Sequence, residues 1–326
     1  MKIWRVVAPL MLCVTSVGAH ATAVPDQSIK FPEQPIRIVV GFAAGSSIDV
    51  VTRLVAQRMA ARAGQPVIVE NRPGAGGSIA ADYVARANPD GYALLAINSG
   101  YAIAPAIYKN LTFDPAKDLI AVAQMTLMPH VLLSPPNLPA NDIRELIALA
   151  KADPGKYNLG SAGVGNADHL AGELLESMAG IELVHIPYKG GPQVMTDVVN
   201  GNVAVFFSGL PGALPMIQAG KVKALGVGTA QRSWALPDVP AIAETLPGYD
   251  VSLWYGLVAP AGTPDKIVDM LSKTVAEVLE EPDTSKTLRQ IGVDPAPPGA
   301  RQFQALIDGE IKRWSDVVRE ADIKVD

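Results

Sequence analysis

The chain has 326 residues, of which 49% are hydrophobic and 18% are charged, and its formal net charge at pH 7 is −5. Abundant apolar residues and few charges exclude an intrinsically disordered chain, and an acidic chain without a long Lys/Arg run is a poor nucleic-acid binder. The length suits two modest domains or one large one.

Residues 1–23 have the pattern of an export signal. A basic start precedes an apolar run and a stretch of small residues, and we expect cleavage after Ala21 or Ala23. A membrane anchor is the alternative, but the run is shorter than the roughly 20 residues of a spanning helix. The one cysteine, Cys13, lies in this leader without the small residue expected before a lipidated cysteine. We therefore expect a mature chain without disulfides, thiolate metal sites or cysteine nucleophiles.

Strand and helix patterns alternate through the first third of the chain, which favours a parallel sheet with crossover helices. An apolar repeat of helical period predicts a helix over residues 48–64 that ends at Gly64. A turn at Asp90–Tyr92 separates the second helix from the third strand. The strand patterns are residues 36–42, 66–71 and 93–98, and the second helix pattern is residues 78–89.

Two long apolar segments are predicted to cross between two lobes. Residues 118–136 are longer than a usual strand and are broken at Pro129, and residues 251–260 form a second crossing strand. Between them the strand–helix alternation resumes, and after them the chain is helical. The predicted lobes are residues 24–127 with 250–326, and residues 128–249.

The loop at residues 41–46 joins a strand to a helix and has the character of an anion site. Ser46 and Asp49 form a capping-box-like pair, and we expect Asp49 to turn back against that cap and away from a ligand. Small residues leave other N–H groups open at the positive end of the helix dipole. Neither a phosphate-binding loop nor a dinucleotide fingerprint is present, so we expect no cofactor. The alternative is a tight turn in which glycine serves packing only.

A second loop of this type, at residues 159–172, also follows a strand and begins a helix. It offers Ser161, Gly163, Gly165 and Asn166 near the helix start. Two such loops in two strand–helix series exceed what packing requires, and ligands of open α/β folds bind beyond the carboxyl ends of the strands. The two loops therefore predict one crevice for a ligand with two acidic groups.

Other candidate positions are weaker. Arg72 fits either a carboxylate partner or a brace of its own loop, and Tyr188 and Lys189, before Gly190, fit either a donor pair for a ligand or a surface turn. The sequence contains no zinc-site spacing among its histidines, no G-x-S-x-G and no calcium loop. We therefore expect a binding protein without a metal and without catalytic activity.

Five segments between about residue 30 and the C-terminus are together specific for one family. They are "PIRIVVGFAAGSSIDVVTRLVA", "VIVENRPGAGGSIAADYVARANPDGYALL", "GSAGVGNADHLAGELL", "VHIPYKGGPQVMTDVVNGNVAVFF" and "ALPDVPAIAETLPGYDVSLWYGLVAPAGTP". Through them the chain resembles the substrate-binding receptors of tripartite tricarboxylate transporters, also called Bug receptors.

The resemblance implies an α/β, two-lobed periplasmic-binding-protein fold (type II, Venus flytrap), each lobe a mainly parallel sheet flanked by helices. It also implies a periplasmic receptor, which we expect to be a monomer, that closes on a small organic carboxylate and delivers it to membrane permease subunits. The ligand-binding residues carried over by position are Phe42, Ala44, Gly45, Ser46 and Asp49 in the first loop, Ser161, Ala162, Gly163, Gly165 and His169 in the second, and Tyr188, Lys189 and Gly190 nearby.

Two departures from the family pattern concern the ligand. Ser208 stands where relatives commonly carry Asp or Asn, which favours a plain acid over an amino acid. In the segment beginning at Asn98, bulky uncharged residues stand where relatives commonly carry a small polar pair and a histidine. Its Tyr101 fits either stacking on an aromatic ring of the ligand or a place in the core. We include Asn98 and Ser208 among the predicted ligand-binding residues.

These observations predict a periplasmic solute receptor for a di- or tricarboxylate or an aromatic acid, with no nucleic-acid partner. Two alternatives stay open at this point. One is an exported hydrolase-like enzyme using the same cleft, which turnover of the ligand would reveal. The other is a ligand-sensing receptor for a membrane kinase, which its membrane partner would reveal.

Overall fold

A mixed β-sheet organises the part of the chain that the computed structural model describes, residues 30–108, 111–296 and 299–320. The predicted export signal, with Cys13, lies outside these residues. The strands are β1 (Ile36–Val40), β2 (Val67–Asn71), β3 (Ala93–Asn98), β4 (Leu119–Ser134), β5 (Asn158–Ser161), β6 (Val184–Pro187), β7 (Val205–Gly209), β8 (Lys223–Val227), β9 (Ser252–Pro260) and β10 (Asp294–Pro295).

Helices cover both faces of this sheet. They are α1 (Ser47–Ala63), α2 (Ser78–Ala85), α3 (Gly100–Ile107), α4 (Ile143–Ala152), α5 (Ala167–Ala179), α6 (Gly191–Val199), α7 (Leu210–Gln218), α8 (Asp265–Glu280), α9 (Pro282–Gln290) and α10 (Ala300–Glu320), with 3₁₀ turns at Ala75–Gly77 and Ile242–Glu244. Within the described residues, no helix is both long and apolar enough to cross a membrane.

The sheet contains two groups of parallel strands joined by antiparallel ones. The strand order is β2-β1-β3-β9-β4-β7-β5-β6, and β8 and β10 also pair with β4. β1 pairs in parallel with β2 and β3, and β5 pairs in parallel with β6 and β7. Since each parallel strand leads into a helix, the loops that begin α1 and α5 follow the carboxyl ends of strands in the two groups.

β4 and β9, which coincide with the two long apolar segments, lie between the two parallel groups in the strand order. β4 pairs with β9 from Leu119 to Pro129 and then with β7 and β8 from His130 to Ser134. The prediction that Pro129 breaks the segment is wrong, because β4 continues through it. The proline lies where the pairing partner changes, so its missing N–H interrupts no continuous ladder.

The alternation of β1 residues between the two faces of the sheet explains the core of the first group. Ile38 and Val40 belong to a cluster with residues of α1 and α8, whereas Val39 belongs to a cluster with residues of α2 and α10. α1 ends as predicted at Gly64, whose φ of 65° places it in the left-handed region that glycine favours at helix ends.

Candidate functional site

Asp49 holds the loop between β1 and α1 from behind. Gly45 has a φ of 79°, and its N–H donates to Asp49 Oδ2 at 2.9 Å. Arg53 Nε donates to the same oxygen at 2.9 Å, and Asn71 Nδ2 donates to Oδ1 at 2.8 Å. Burial raises the pKa of Asp49, but these hydrogen bonds outweigh burial and hold the pKa below its usual value. The carboxylate faces away from the crevice, as predicted, although it binds the Gly45 N–H and not the Ser46 cap.

The predicted capping box at Ser46 is wrong. Ser46 occupies the N-cap position of α1, but its side chain makes no capping hydrogen bond. Its hydroxyl is buried and has no hydrogen-bond partner among the residues that the structure describes. The first-turn N–H groups of Ser47, Ile48 and Asp49 also have no acceptor within the helix. The start of α1 therefore presents unpaired donors and one unpaired hydroxyl.

Ser47, which the sequence did not indicate, links α1 to the start of α7. Its hydroxyl donates to the Gly209 carbonyl at 3.1 Å and accepts the Gly212 N–H at 3.1 Å. The strand–helix junction of the first parallel group is thus bonded directly to that of β7 in the second. This contact holds the start of α1 and the start of α7 together at the crevice between the two groups.

The loop between β5 and α5 satisfies its own donors. The Asn166 side chain caps α5 by accepting the Asp168 N–H at 2.8 Å. The Gly165 N–H donates to His169 Nδ1 at 3.1 Å, and the Ala162 N–H donates to Asp168 Oδ2 at 2.6 Å. This loop therefore offers a ligand few free N–H groups, although the sequence predicts an anion loop here as well.

Two stacked imidazoles stabilise this second loop. The rings of His169 and His185 lie 3.8 Å apart between centroids, and His185 Nε2 is 2.6 Å from Ser161 Oγ. His169 Nε2 lies 3.2 Å from Glu173 Oε1. Burial, followed by the neighbouring His169, lowers the pKa of His185 to about 4. Ser161 and His169 thus serve the loop's internal hydrogen bonds.

Two buried ionisable groups face the crevice. Burial raises the pKa of Asp168 to about 7, although the Ala162 N–H opposes this rise. Burial also lowers the pKa of His130 to about 3, and its Nδ1 has no hydrogen-bond partner within the described part of the chain. At neutral pH the crevice therefore contains an uncharged imidazole and a carboxyl group that is readily protonated.

A cavity of about 50 Å³ collects these groups. Among the predicted ligand-binding residues, those that line it are Phe42, Ser46, Asn98, Ala162 and Ser208, and Asn166 of the second loop lines it as well. Polar residues missed by the prediction that line it are Ser47, His130, Asp168 and Tyr255. Gly45 lines a wider groove that opens from this cavity. The structure thus brings the start of α1, the loop before α5 and the crossing strands β4 and β9 around one space.

The other predicted residues do not line the cavity or the groove. They are Ala44, Asp49, Ser161, Gly163, Gly165, His169, Tyr188, Lys189 and Gly190. The Tyr188 hydroxyl donates to Asp197 Oδ2 at 2.6 Å. Gly190 packs so closely on the first loop that a Cβ there would lie 2.8 Å from the Ala43 Cβ.

Two of the ambiguous residues are bound within the protein. Arg72 Nε donates to Glu70 Oε1 at 2.7 Å, and its guanidinium lies 3.7 Å from the centre of the Tyr83 ring, so it braces its own loop. The Tyr101 hydroxyl donates to the Pro115 carbonyl at 2.6 Å, and the side chain belongs to a core cluster. Tyr101 is therefore a core residue.

The missed lining residues had weak sequence signals. Asp168 follows a good N-cap residue at Asn166 and is typical of a first helical turn. His130 and Tyr255 are polar side chains within otherwise apolar crossing segments. Their meeting depends on the antiparallel pairing of β4 with β9 at Tyr255 and with β7 at His130, which no local pattern encodes.

A family model described as the tripartite tricarboxylate transporter family receptor matches residues 51–323. The chain belongs to this receptor family. Protein BugT of Bordetella pertussis is 32% identical over 328 residues, covering 100% of both chains. A Pseudomonas sp. (strain P51) protein encoded between tcbD and tcbE is 34% identical, covering 97% of this chain and 94% of its own.

Solved structures of the receptor family share the fold. R. palustris Rpa4515 with adipate has a TM-score of 0.87 at 34% identity, covering 90% of this chain and 99% of its own. MatC from Rhodopseudomonas palustris with bound malate has a TM-score of 0.85 at 34% identity, covering 88% of this chain and 100% of its own. The periplasmic binding protein BugD has a TM-score of 0.87 at 34% identity, covering 90% and 99%. The predicted α/β periplasmic-binding-protein fold is confirmed.

Proposed function

We propose that this chain is a periplasmic receptor that captures a small organic carboxylate and delivers it to the membrane subunits of a tripartite tricarboxylate transporter. The observation that carries the proposal is the start of α1, where Ser46, Ser47 and Ile48 line a cavity. In the described part of the chain, the first-turn N–H groups have no acceptor within the helix and the buried Ser46 hydroxyl has no hydrogen-bond partner. A carboxylate satisfies both kinds of group at once. Adipate and malate, found with two of the related structures, are carboxylates.

The electrostatics of the cavity favour an anion at neutral pH. The helix dipole contributes roughly 0.3–2 kcal/mol toward a carboxylate at the start of α1. Because the pKa of Asp168 is raised to about 7, a bound carboxylate nearby favours its protonated form, which donates a hydrogen bond to the ligand. Neutral His130 adds a polar partner without a charge.

The predicted ligand-binding residues divide into two roles in this proposal. Direct contact is assigned to the five that line the cavity and to Ser47, Asp168 and His130. Positioning of the two loops is assigned to Ala44, Gly45, Asp49, Ser161, Gly163, Gly165, His169, Tyr188, Lys189 and Gly190. Asp49 illustrates the second role, since its carboxylate binds the Gly45 N–H behind the ligand site.

Ligand capture would involve movement of two lobes, residues 24–127 with 250–326 and residues 128–249. The change of β4 partners after Pro129 supports this boundary, because the strand belongs to one parallel group before it and to the other after it. Closure responds to the ligand only if the closed form binds it more tightly than the open form.

Calorimetry on ligand-stripped protein tests the proposal with malate, adipate, citrate and benzoate as probes. We expect heat and a raised melting temperature for at least one acid, and recovery of that acid with unchanged mass after long incubation. A pull-down from host membranes should recover permease subunits. Absence of binding to every carboxylate would overturn the proposal, and a change in the mass of the ligand would favour an enzyme.

A further inference from the structure

A groove of about 360 Å³ opens from the proposed carboxylate site. It shares four lining residues with the inner cavity, namely Ser46, Ser47, Gly191 and Ser208. A ligand whose carboxylate lies at the start of α1 therefore has continuous space beside it. The part of the ligand beyond the carboxylate is the natural occupant of that space.

The groove runs between α6 and α7. Its α6 residues are Gly191, Pro192, Met195, Thr196 and Val199, followed by Asn200 directly after the helix, and its α7 residues are Gly212 and Met216. These positions recur every four residues and so form one stripe on each helix. The stripe on α6 spans nine residue steps, or roughly 13 Å at the helical rise per residue. The groove is thus long and narrow.

Both helices begin at the carboxylate site and end at the surface. β6 and β7 each pair in parallel with β5, so α6 and α7 follow strands that run in the same direction. Gly191 and Gly212, at the helix starts, lie on the same side as Ser47, whose hydroxyl accepts the Gly212 N–H. Asn200 and Lys221, beyond the helix ends, are both exposed.

The walls of the groove are apolar for most of its length. Met195, Val199 and Met216 are each partly buried and line it. The described lining residues include no acid, and the single charged one is Lys221, which is exposed. A compact, hydroxyl-rich acid would leave the apolar wall formed by Met195, Val199 and Met216 without an apolar partner.

We propose that the ligand is a carboxylate with an extended, unbranched apolar chain that lies along α6 and α7. This inference rests on the proposed function, because the carboxylate at α1 is what aligns the chain with the groove. Methionine suits such a wall, since its flexible thioether side chain adapts to chains of different shape. The residues that select the ligand would then be Met195, Val199 and Met216.

A series of straight-chain monocarboxylates from butanoate to octanoate tests the proposal by calorimetry, with malate as the compact comparison. We expect affinity to rise by about 2- to 4-fold per added methylene, given about 0.8 kcal/mol for complete burial of each group. We also expect the heat-capacity change of binding to become more negative with chain length. Flat affinity across the series would overturn the proposal.

Two methionine variants test where the apolar chain of the ligand lies. Met216→Trp fills the groove and should lower octanoate affinity by about tenfold or more, as several methylenes lose their burial, while butanoate affinity stays within about twofold. Met178→Trp is the matched control, since Met178 is exposed on α5 and does not line the groove. Equal losses in both variants, or a loss of butanoate as large as that of octanoate, would contradict the proposal.

The same measurements separate this inference from the proposed function. If malate or adipate binds but chain length has no effect, the receptor function stands and the chain-binding groove is wrong. If no carboxylate in either set binds, the receptor function itself fails.

Discussion

The loops that begin α1 and α5 follow the same backbone course. Gly45 and Gly165 have φ values of 79° and 75°. In each loop the glycine N–H donates to the side chain four residues later, which is an aspartate in the first loop and a histidine in the second. An N-cap residue in extended conformation follows each glycine. The shared glycine spacing thus predicts a shared turn.

The two loops differ in what their N-cap side chains do. Asn166 accepts the Asp168 N–H, so the start of α5 is already capped. Ser46 caps nothing, so the start of α1 keeps its donors for another acceptor. The acids differ as well, because Asp49 is held charged behind its loop while Asp168 is buried facing the cavity.

The comparison shows that a glycine-rich turn before a helix does not define an anion site by itself. Ser and Asn are both favourable N-cap residues, and the sequence does not indicate which one leaves the helix start uncapped. One loop can therefore hold a ligand's carboxylate while the other supplies a carboxyl group to face it. The two sides of the site are complementary and not equivalent.

Asp168→Asn and Asp49→Asn should change stability in opposite directions at pH 8. Because the pKa of Asp168 is raised in the folded state, its neutral carboxyl group contributes fully to the stability of the protein below pH 4. This stability is lost as the pH rises through about 7, where the buried carboxyl group must ionise. Asp168→Asn removes this loss and should stabilise the protein at pH 8 by on the order of 4 kcal/mol. Urea unfolding at pH 4 and pH 8 measures the difference, with little change expected at pH 4.

Asp49→Asn serves as the opposing variant. The lowered pKa of Asp49 means that its contribution is present above pH 4 and is lost as the pH falls through the folded-state value. This variant should therefore be destabilised at pH 8, where the Gly45, Arg53 and Asn71 donors lose a charged acceptor. Changes of the same sign in both variants at pH 8 would contradict the contrast between the loops.

Gly165→Ala should destabilise the protein more than Gly45→Ala. Both substitutions place alanine in the left-handed region, at a cost of about 1–2 kcal/mol. At Gly45 the new Cβ meets no atom within 4 Å, whereas at Gly165 it would lie 2.6 Å from the Tyr108 hydroxyl and 2.7 Å from Cζ. The clash should add about 1–3 kcal/mol, which urea unfolding measures.

The Tyr108→Ala background isolates that clash. Tyr108 donates its hydroxyl to the Val164 carbonyl and so ties α3 to the second loop. In this background we expect Gly165→Ala to cost no more than Gly45→Ala. Equal costs in the wild-type background would show that the backbone conformation alone determines both effects.

Local pattern was sufficient to predict much of the fold. The apolar repeat and Gly64 defined α1, and the strands of both parallel groups coincide with apolar runs of the expected length. α3 was missed because Gly100 and Pro105 are both residues that usually interrupt helices. A break at Pro129 was expected because proline has no N–H to donate. The strand continues because its pairing partner changes at that residue, so the missing N–H removes no hydrogen bond from a continuous ladder.

The candidate site was predicted less completely than the fold. The predicted residues that line the cavity lie at or just after the ends of strands or in the first loop, where strand–helix topology determines position. Asp168 and His130 were missed because their approach depends on side-chain burial and on pairing between segments far apart in sequence. Free and occupied N–H groups also look alike in a sequence.

Ser46→Asp should separate capping from ligand binding at the first loop. Aspartate is a strong N-cap residue, so the variant should gain about 0.5–2 kcal/mol of stability as its carboxylate accepts the free N–H groups. The same carboxylate would occupy the position of the ligand's carboxylate and repel its negative charge. We expect carboxylate affinity to fall by about 10- to 150-fold, the value of a hydrogen bond to a charged group, measured by calorimetry with the tightest acid of the panel.

Ser46→Ala is the matched control, since it removes the hydroxyl without adding a charge. Its affinity should fall by about 10-fold, the lower end of the value of a hydrogen bond to a charged group, and by less than the affinity of Ser46→Asp, because its first-turn N–H groups stay available and no charge is added. If Ser46→Asp binds the acid as well as Ser46→Ala does, the carboxylate does not lie at the start of α1. Because Asn166 already caps α5, Asn166→Asp should give no comparable gain in stability, and an equal gain would mean that the two helix starts are capped alike.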